Sequence, residues 1–121
     1  MSYIDGYLIA VPTENKQAYI DFSLSSDSIF VDMGATRVVQ CWGDDVSEGS
    51  VTDMRKAVQA KTGESIVFAW VEWPDKDTRD AAMAKMMADD FEDDRLDSQK
   101  NPMPFDGSRL IYGGFQQIVE L

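Results

Sequence analysis

Hydrophobic residues fall into four short blocks rich in β-branched and aromatic side chains, and into two longer stretches where they recur at helical spacing. The first block, Tyr3 to Val11, predicts a strand stopped by Pro12. Thr13 can then cap a helix, with Glu14 in its first turn. Tyr19, Phe22, Ser26, Ile29 or Phe30, and Met33 mark one face of that helix, and Gly34 stands where a left-handed C-cap belongs. The helix is therefore predicted over about residues 14–33. A second strand is expected from Ala35 to Trp42, ending at Gly43, with a polar loop from Asp44 to Ser50. Val51 to Lys61 is compatible with a short helix that Gly63 would end.

Ile66-Val67-Phe68-Ala69-Trp70-Val71-Glu72-Trp73 is the clearest strand, stopped by Pro74. Asp75 or Asp77 can cap the next helix, which carries Ala81, Ala82, Met83, Met86 and Met87. The acidic stretch Asp89 to Gln99 reads as solvated loop, and the segment Asn101 to Gly107, with Pro102 and Pro104, as a stiff connector. Arg109 to Glu120 forms the expected last strand, where Gly113-Gly114 predicts a bulge or the close approach of another backbone.

The element order is β-α-β-(short element)-β-α-β, the ferredoxin-like α+β pattern, and all 121 residues fit one domain. Strand side chains alternate between faces. On the third strand Ile66, Phe68 and Trp70 oppose Val67, Ala69, Val71 and Trp73, and on the second Val39 and Cys41 oppose Val38 and Trp42. Both faces of the sheet are apolar, yet two helices cover only one. Large bare apolar patches are uncommon on monomers, so a second copy of the chain is the expected cover, and a homodimer the expected assembly.

Composition removes several function classes. The formal net charge is −11, from 22 acidic against 11 basic residues, which opposes binding to nucleic acid and to anionic membranes. With no histidine, Ser-His-Asp and Cys-His catalysis, His-ligated zinc and proximal-His haem are excluded. Cys41 is the single cysteine, which fits a reducing compartment better than a disulfide framework. No basic leader and no apolar run of membrane length is visible, so a cytoplasmic protein is expected. No cofactor motif is present, none is expected, and a metal would need carboxylates alone.

Candidate chemistry lies in three places. Cys41-Trp42-Gly43-Asp44-Asp45 puts a thiol and paired carboxylates at a strand end, or is simply a polar turn after a buried strand. Trp70, Trp73, Met83, Met86, Met87, Met103 and Phe105 can line a pocket for a flat apolar ligand, or can be ordinary core. Asp106, Arg109 and Tyr112 surround the start of the last strand, where Arg109 could hold a carboxylate or phosphate, or could be tied up in a salt bridge to Asp106 or to the dimer mate. Glu72 is either a desolvated base or an edge charge. If there is one ligand site, it is expected where Cys41, Trp42, Trp70, Met86, Met87, Met103, Phe105, Asp106, Arg109 and Tyr112 converge. The competing expectation is that the proline-framed connector only plugs the end of the fold.

Several blocks resemble a known family in order along essentially the whole chain. They are Met1-Ser2-Tyr3-Ile4-Asp5-Gly6, Cys41 to Val46, Phe68 to Pro74, Lys85-Met86-Met87, Asn101 to Gly107, and Ile111-Tyr112-Gly113-Gly114-Phe115. They are similar to those of the bacterial YbaA-like proteins, domain of unknown function 1428. The resemblance implies a dimeric α+β barrel of two ferredoxin-like subunits packed sheet to sheet. It implies no activity, because the wider superfamily includes monooxygenases, haem-degrading enzymes, isomerases and stress-response proteins. Two readings stay open: a protein that binds or transforms a small apolar or aromatic metabolite between sheet and helices, and a non-catalytic stress-response or interaction module.

Overall fold

The computed structural model describes residues 2–121. Strand β1 spans Tyr3–Pro12, and a 3₁₀ turn at Thr13–Asn15 leads into helices α1 (Lys16–Ser26) and α2 (Ser28–Asp32). Strand β2 (Arg37–Trp42), the short helix α3 (Met54–Ala57) and strand β3 (Glu64–Trp73) follow. Helix α4 (Lys76–Met86) precedes the long connector to β4 (Ile111–Gln116). The four strands form one sheet in the order β2-β3-β1-β4, and every neighbouring pair is antiparallel. This is an α+β architecture.

The alternation read from the sequence is realised in the sheet. Directly opposed residues share a face, and the register sets Val39 against Trp70, Cys41 against Phe68, and Leu8 against both Phe68 and Ile111. Those side chains lie on the face that α1, α2 and α4 leave bare. Ile9, Val11, Val67, Ala69, Val71 and Trp73 lie on the other face and are buried beneath the helices. A smaller cluster of Ala10, Val58 and Ile66 forms where the β2–β3 connection curls over one end of the bare face.

Local chemistry explains where the elements depart from expectation. Thr13 does not cap a helix; its hydroxyl shares a 2.7 Å hydrogen bond with that of Ser65, and α1 begins three residues later. The long helix is interrupted at Asp27, where the Ser28 hydroxyl donates to the Ser25 carbonyl at 2.6 Å and competes with the backbone ladder. Its end is as anticipated. Gly34 has φ +108°, its N–H bonds the Val31 carbonyl, and the Ala35 N–H reaches back to Phe30 at 2.9 Å, the six-to-one closure of a Schellman cap. At the start of α4 it is Asp75, not Asp77, that accepts the Thr78 N–H, at 2.7 Å.

The last strand is shorter than its sequence suggests. Arg109 lies in a 3₁₀ turn, and because Gln116 already faces Tyr3, where β1 begins, the chain beyond it has almost no strand left to pair with. The glycine pair makes no bulge, since the ladder runs unbroken through Gly113 and Gly114. The crowding is real but comes from side chains rather than backbone. A Cβ on Gly114 would sit 2.4 Å from the Tyr3 hydroxyl and 3.0 Å from an Arg79 nitrogen.

Candidate functional site

Between the helices and the sheet lies a cavity of about 250 Å³. Its aromatic wall is built by α1 and by the connector. Tyr19 and Phe22 meet the Phe105 ring at 5.7 Å and 5.9 Å, and Trp42 packs on Tyr19 from the edge strand at 6.3 Å. The Asn15 side chain holds the connector there by donating to the Pro104 carbonyl at 2.9 Å. The stiffness that the two prolines confer is thus used against α1.

A polar line crosses this wall. The Tyr19 hydroxyl donates to the Gln40 side-chain carbonyl at 2.7 Å, and the Gln40 amide donates to Asp27 at 2.8 Å. Asp27 also receives a long hydrogen bond from the Ser26 hydroxyl, 3.4 Å. Tyr19, Ser23, Asp27, Val38 and Gln40 border both the inner cavity and an outer depression of about 430 Å³ whose rim carries the exposed Leu24 and Val31. The Asp27–Gln40 pair therefore stands where the interior meets the surface.

Burial decides how these groups titrate. The Asp27 carboxyl is pushed above its ordinary range by desolvation, which the hydrogen bonds from Gln40 and Ser26 only partly offset. Desolvation likewise raises Tyr19 to about 12. It lifts Tyr7, which also lines the cavity, well above the usual phenol range, with the nearby Asp5 and Asp27 charges adding to the effect. Among the described residues, neither the cavity nor its outer depression is lined by a lysine or an arginine.

The ten residues expected to converge do not meet in one place. Met103, Phe105 and Trp70 border the cavity, and Trp42 adjoins it through Tyr19. The Trp70 ring, however, belongs to the bare sheet face, where it lies 5.7 Å from Phe68 and donates to Glu72 at 2.9 Å. Cys41 is exposed on that same face, across from Phe68. Met86 packs against the buried cluster of Ala35, Val71, Trp73 and Ala82, while Met87 projects into solvent. Arg109 is fixed at the other end by two hydrogen bonds of 2.8 and 2.7 Å to Glu64 and one of 3.0 Å to Asp106. Tyr112 stacks on Tyr7 at 5.9 Å from the edge strand and is otherwise exposed.

Arg109 thus does what the bland alternative expected, neutralising carboxylates within the chain. It holds Glu64 down to about 2, and Asp106 is held at about 2 by Ser108 and then Arg109. Glu72 is no desolvated base either. Hydrogen bonds from Trp70 and from Arg37 hold its carboxyl below the ordinary range. Among the described residues no three Asp, Glu or Cys side chains gather as a cage for a metal ion.

Two polar clusters escaped the sequence reading. Asp27 sits inside a helical stretch, and nothing in the pattern joins it to Gln40 on β2. The other is Asp5, 1% exposed, which receives the Trp73 indole N–H at 2.9 Å and the Arg79 guanidinium at 2.9 Å. Arg79 lies over the Tyr3 ring at 5.2 Å and above Gly114. An acid in a strand otherwise rich in apolar residues was the available signal for a buried pair.

Fold and cavity together define a small α+β protein with one sheet face built over by helices and a polar line at the mouth of its interior. The chain belongs to the family described as "Protein of unknown function (DUF1428)", which matches residues 2–107. It is 46% identical over 120 residues to the uncharacterized protein YbaA of Escherichia coli strain K12, covering 99% of each chain. The YbaA proteins of Escherichia coli O157:H7 and Shigella flexneri match to the same extent, 46% over 120 residues and 99% of each chain.

Proposed function

We propose that the protein is a homodimeric small-molecule-binding protein that takes a small apolar or aromatic metabolite between its helices and its sheet. The strand order β2-β3-β1-β4, antiparallel throughout, supports reading the subunit as ferredoxin-like and the dimer as an α+β barrel. The bare sheet face supports the second copy. Ile4, Leu8, Phe68, Trp70, Ile111 and Phe115 line a broad depression there of about 990 Å³, with Phe68 48% and Phe115 58% exposed. A surface of this character is what symmetric dimers bury. Among the described residues no helix is long and apolar enough to cross a membrane, and a free, exposed Cys41 suits the cytoplasm.

One observation carries the ligand reading: an aromatic-walled cavity with convergent polar groups, in contact with an outer depression. The inner volume of about 250 Å³ alone falls short of the roughly 300 Å³ at which ligand sites begin, and the reading relies on the outer depression of about 430 Å³ to extend it. The rival interaction module would be better served by a filled interior. Any transformation would draw on Asp27, Tyr7 and Tyr19, the groups in the cavity with displaced titration.

A metabolite library screened by thermal shift tests this reading, with the cavity-filling variant Ser26→Leu as the control. A ligand at a hundredfold excess over its Kd raises the melting temperature on the order of 5–10 °C. The reading expects at least one responder, and expects Ser26→Leu to abolish its effect. Responders that ignore the filled cavity would place the site elsewhere.

A further inference from the structure

We infer that the helix–sheet cavity selects a small cationic ligand, a protonated primary amine on a flat apolar body, whose ammonium pairs with Asp27. This rests on the cavity being a ligand site.

Several of the chain's carboxylates have a cation: Asp5 has Arg79, Glu64 and Asp106 have Arg109, Asp93 has Arg95, and Glu72 has Arg37. Asp27 is half-buried on the cavity wall, yet among the described residues its hydrogen bonds come only from the neutral Gln40 and Ser26. Arg95 reaches the start of α2 through the Ser28 hydroxyl at 2.9 Å, but it is committed to Asp93 and Asp32. The other titratable groups facing Asp27 from the cavity wall are Tyr7 on β1 and Tyr19 on α1, and neither offers positive charge.

A carboxylate has about four acceptor positions, and two neutral donors leave the rest open. Left without a cation in a low-dielectric site, it costs free energy, in keeping with its raised pKa. An ammonium arriving from the outer depression meets this carboxylate first. Its apolar body then lies against Tyr19, Phe22 and Phe105, whose faces favour an adjacent cation. The formal net charge of −11 attracts cations to the surface and repels anions from it. A carboxylate or phosphate ligand would bring a second negative charge to Asp27 and is selected against.

Calorimetric titration of the full chain with three probes of similar shape tests the inference: 2-phenylethylamine, 2-phenylethanol and 3-phenylpropionate. Near neutral pH the amine is expected to bind at least about tenfold tighter than the alcohol, the gain of a charge-assisted hydrogen bond, and the propionate more weakly than either. Asp27→Asn is expected to bring the amine's affinity down to the level of the alcohol's. A second readout needs no variant: carboxyl carbon shifts in the parent should show the Asp27 pKa falling when the amine is added. Equal binding of amine and alcohol, or an unmoved Asp27 carboxyl in the amine complex, overturns the inference and leaves the cavity reading standing. Binding of none of the probes overturns the amine inference and counts against the cavity as a site for small aromatic ligands; the library screen with Ser26→Leu then decides that reading separately.

Discussion

The two faces of the sheet are built from similar residues and meet opposite fates. On β3, Ala69 is 1% exposed and its neighbour Phe68 48%, although Phe68 is far the more hydrophobic. Beneath the helices the chain packs its core around one cavity and pairs its fully buried acid, with Asp5 held by Arg79 and Trp73. On the other side only the end near α3 is covered, by Val58 and Val46, and the rest of an equally apolar surface stays in contact with solvent. One face explains why a single chain folds, and the other is the surface the proposed dimer would bury. Phe68 and Ile111 are 48% and 46% exposed, so completing their burial would contribute about half of the ~1.5–3 kcal/mol of full burial each to the proposed association.

Adjacent substitutions on β3 separate these roles. The largest effect is expected from Ala69→Glu, which drives an unpaired charge beneath the helices, where Ala69 is 1% exposed, and should cost more than about 5 kcal/mol, enough to unfold the chain in circular dichroism. Phe68→Glu is the same chemistry one residue earlier. It should leave the subunit folded and weaken self-association by about 3–5 kcal/mol, read as a halved mass in light scattering at concentrations where the parent is a dimer. If Phe68→Glu unfolds the chain, or if it stays as large as the parent, the distinction between the faces collapses.

Next in size is Arg79→Ala, which strands the buried Asp5 carboxylate with Trp73 as its remaining donor. A loss of about 3 kcal/mol is expected in urea unfolding, with the oligomeric state retained, because the change lies on the covered face. A loss of a few tenths would show that Asp5 is solvated after all.

The smallest effect is electrostatic and has two signs. Arg109 and Lys61 hold Glu64 at about 2 in the folded chain against an ordinary 4.5, so the folded state binds fewer protons than the unfolded one. The stability this contributes is fully present above pH 4.5 and is lost as the pH falls toward 2. Acid unfolding of Glu64→Gln should be correspondingly shallower over that interval. Asp27 runs the other way. Its carboxyl is raised by burial, so stability falls as the pH rises through its folded pKa, and Asp27→Asn should match or exceed the parent in melting temperature near neutral pH. A parent and Glu64→Gln with the same acid limb would remove the Arg109 pair from the account.

What the sequence revealed and what it hid follow from the range of the interactions. Period-two alternation put Ile66, Phe68 and Trp70 together against Val67, Ala69 and Val71, because a strand's geometry is local. Gly34 as a cap and Asp75 at a helix start were legible for the same reason. The polar partnerships were not: Asp5 and Arg79 are separated by 74 positions, Glu64 and Arg109 by 45, and Asp27 and Gln40 lie on different elements. Convergence of Met86 with Arg109 failed because Met86 packs against the buried cluster around Trp73, while Arg109 is drawn to Glu64 at the opposite end of β3. Met103 and Phe105 do reach a cavity, but the polarity there comes from Asp27 and Gln40 rather than from Asp106 and Arg109.

Sedimentation equilibrium of the unmodified chain at micromolar concentration tests the contrast between the faces most directly. The bare face predicts a single species of twice the 13.6 kDa chain mass, with no unfolding on dilution until dissociation begins. A stable, soluble species at 13.6 kDa across the whole concentration range would contradict it.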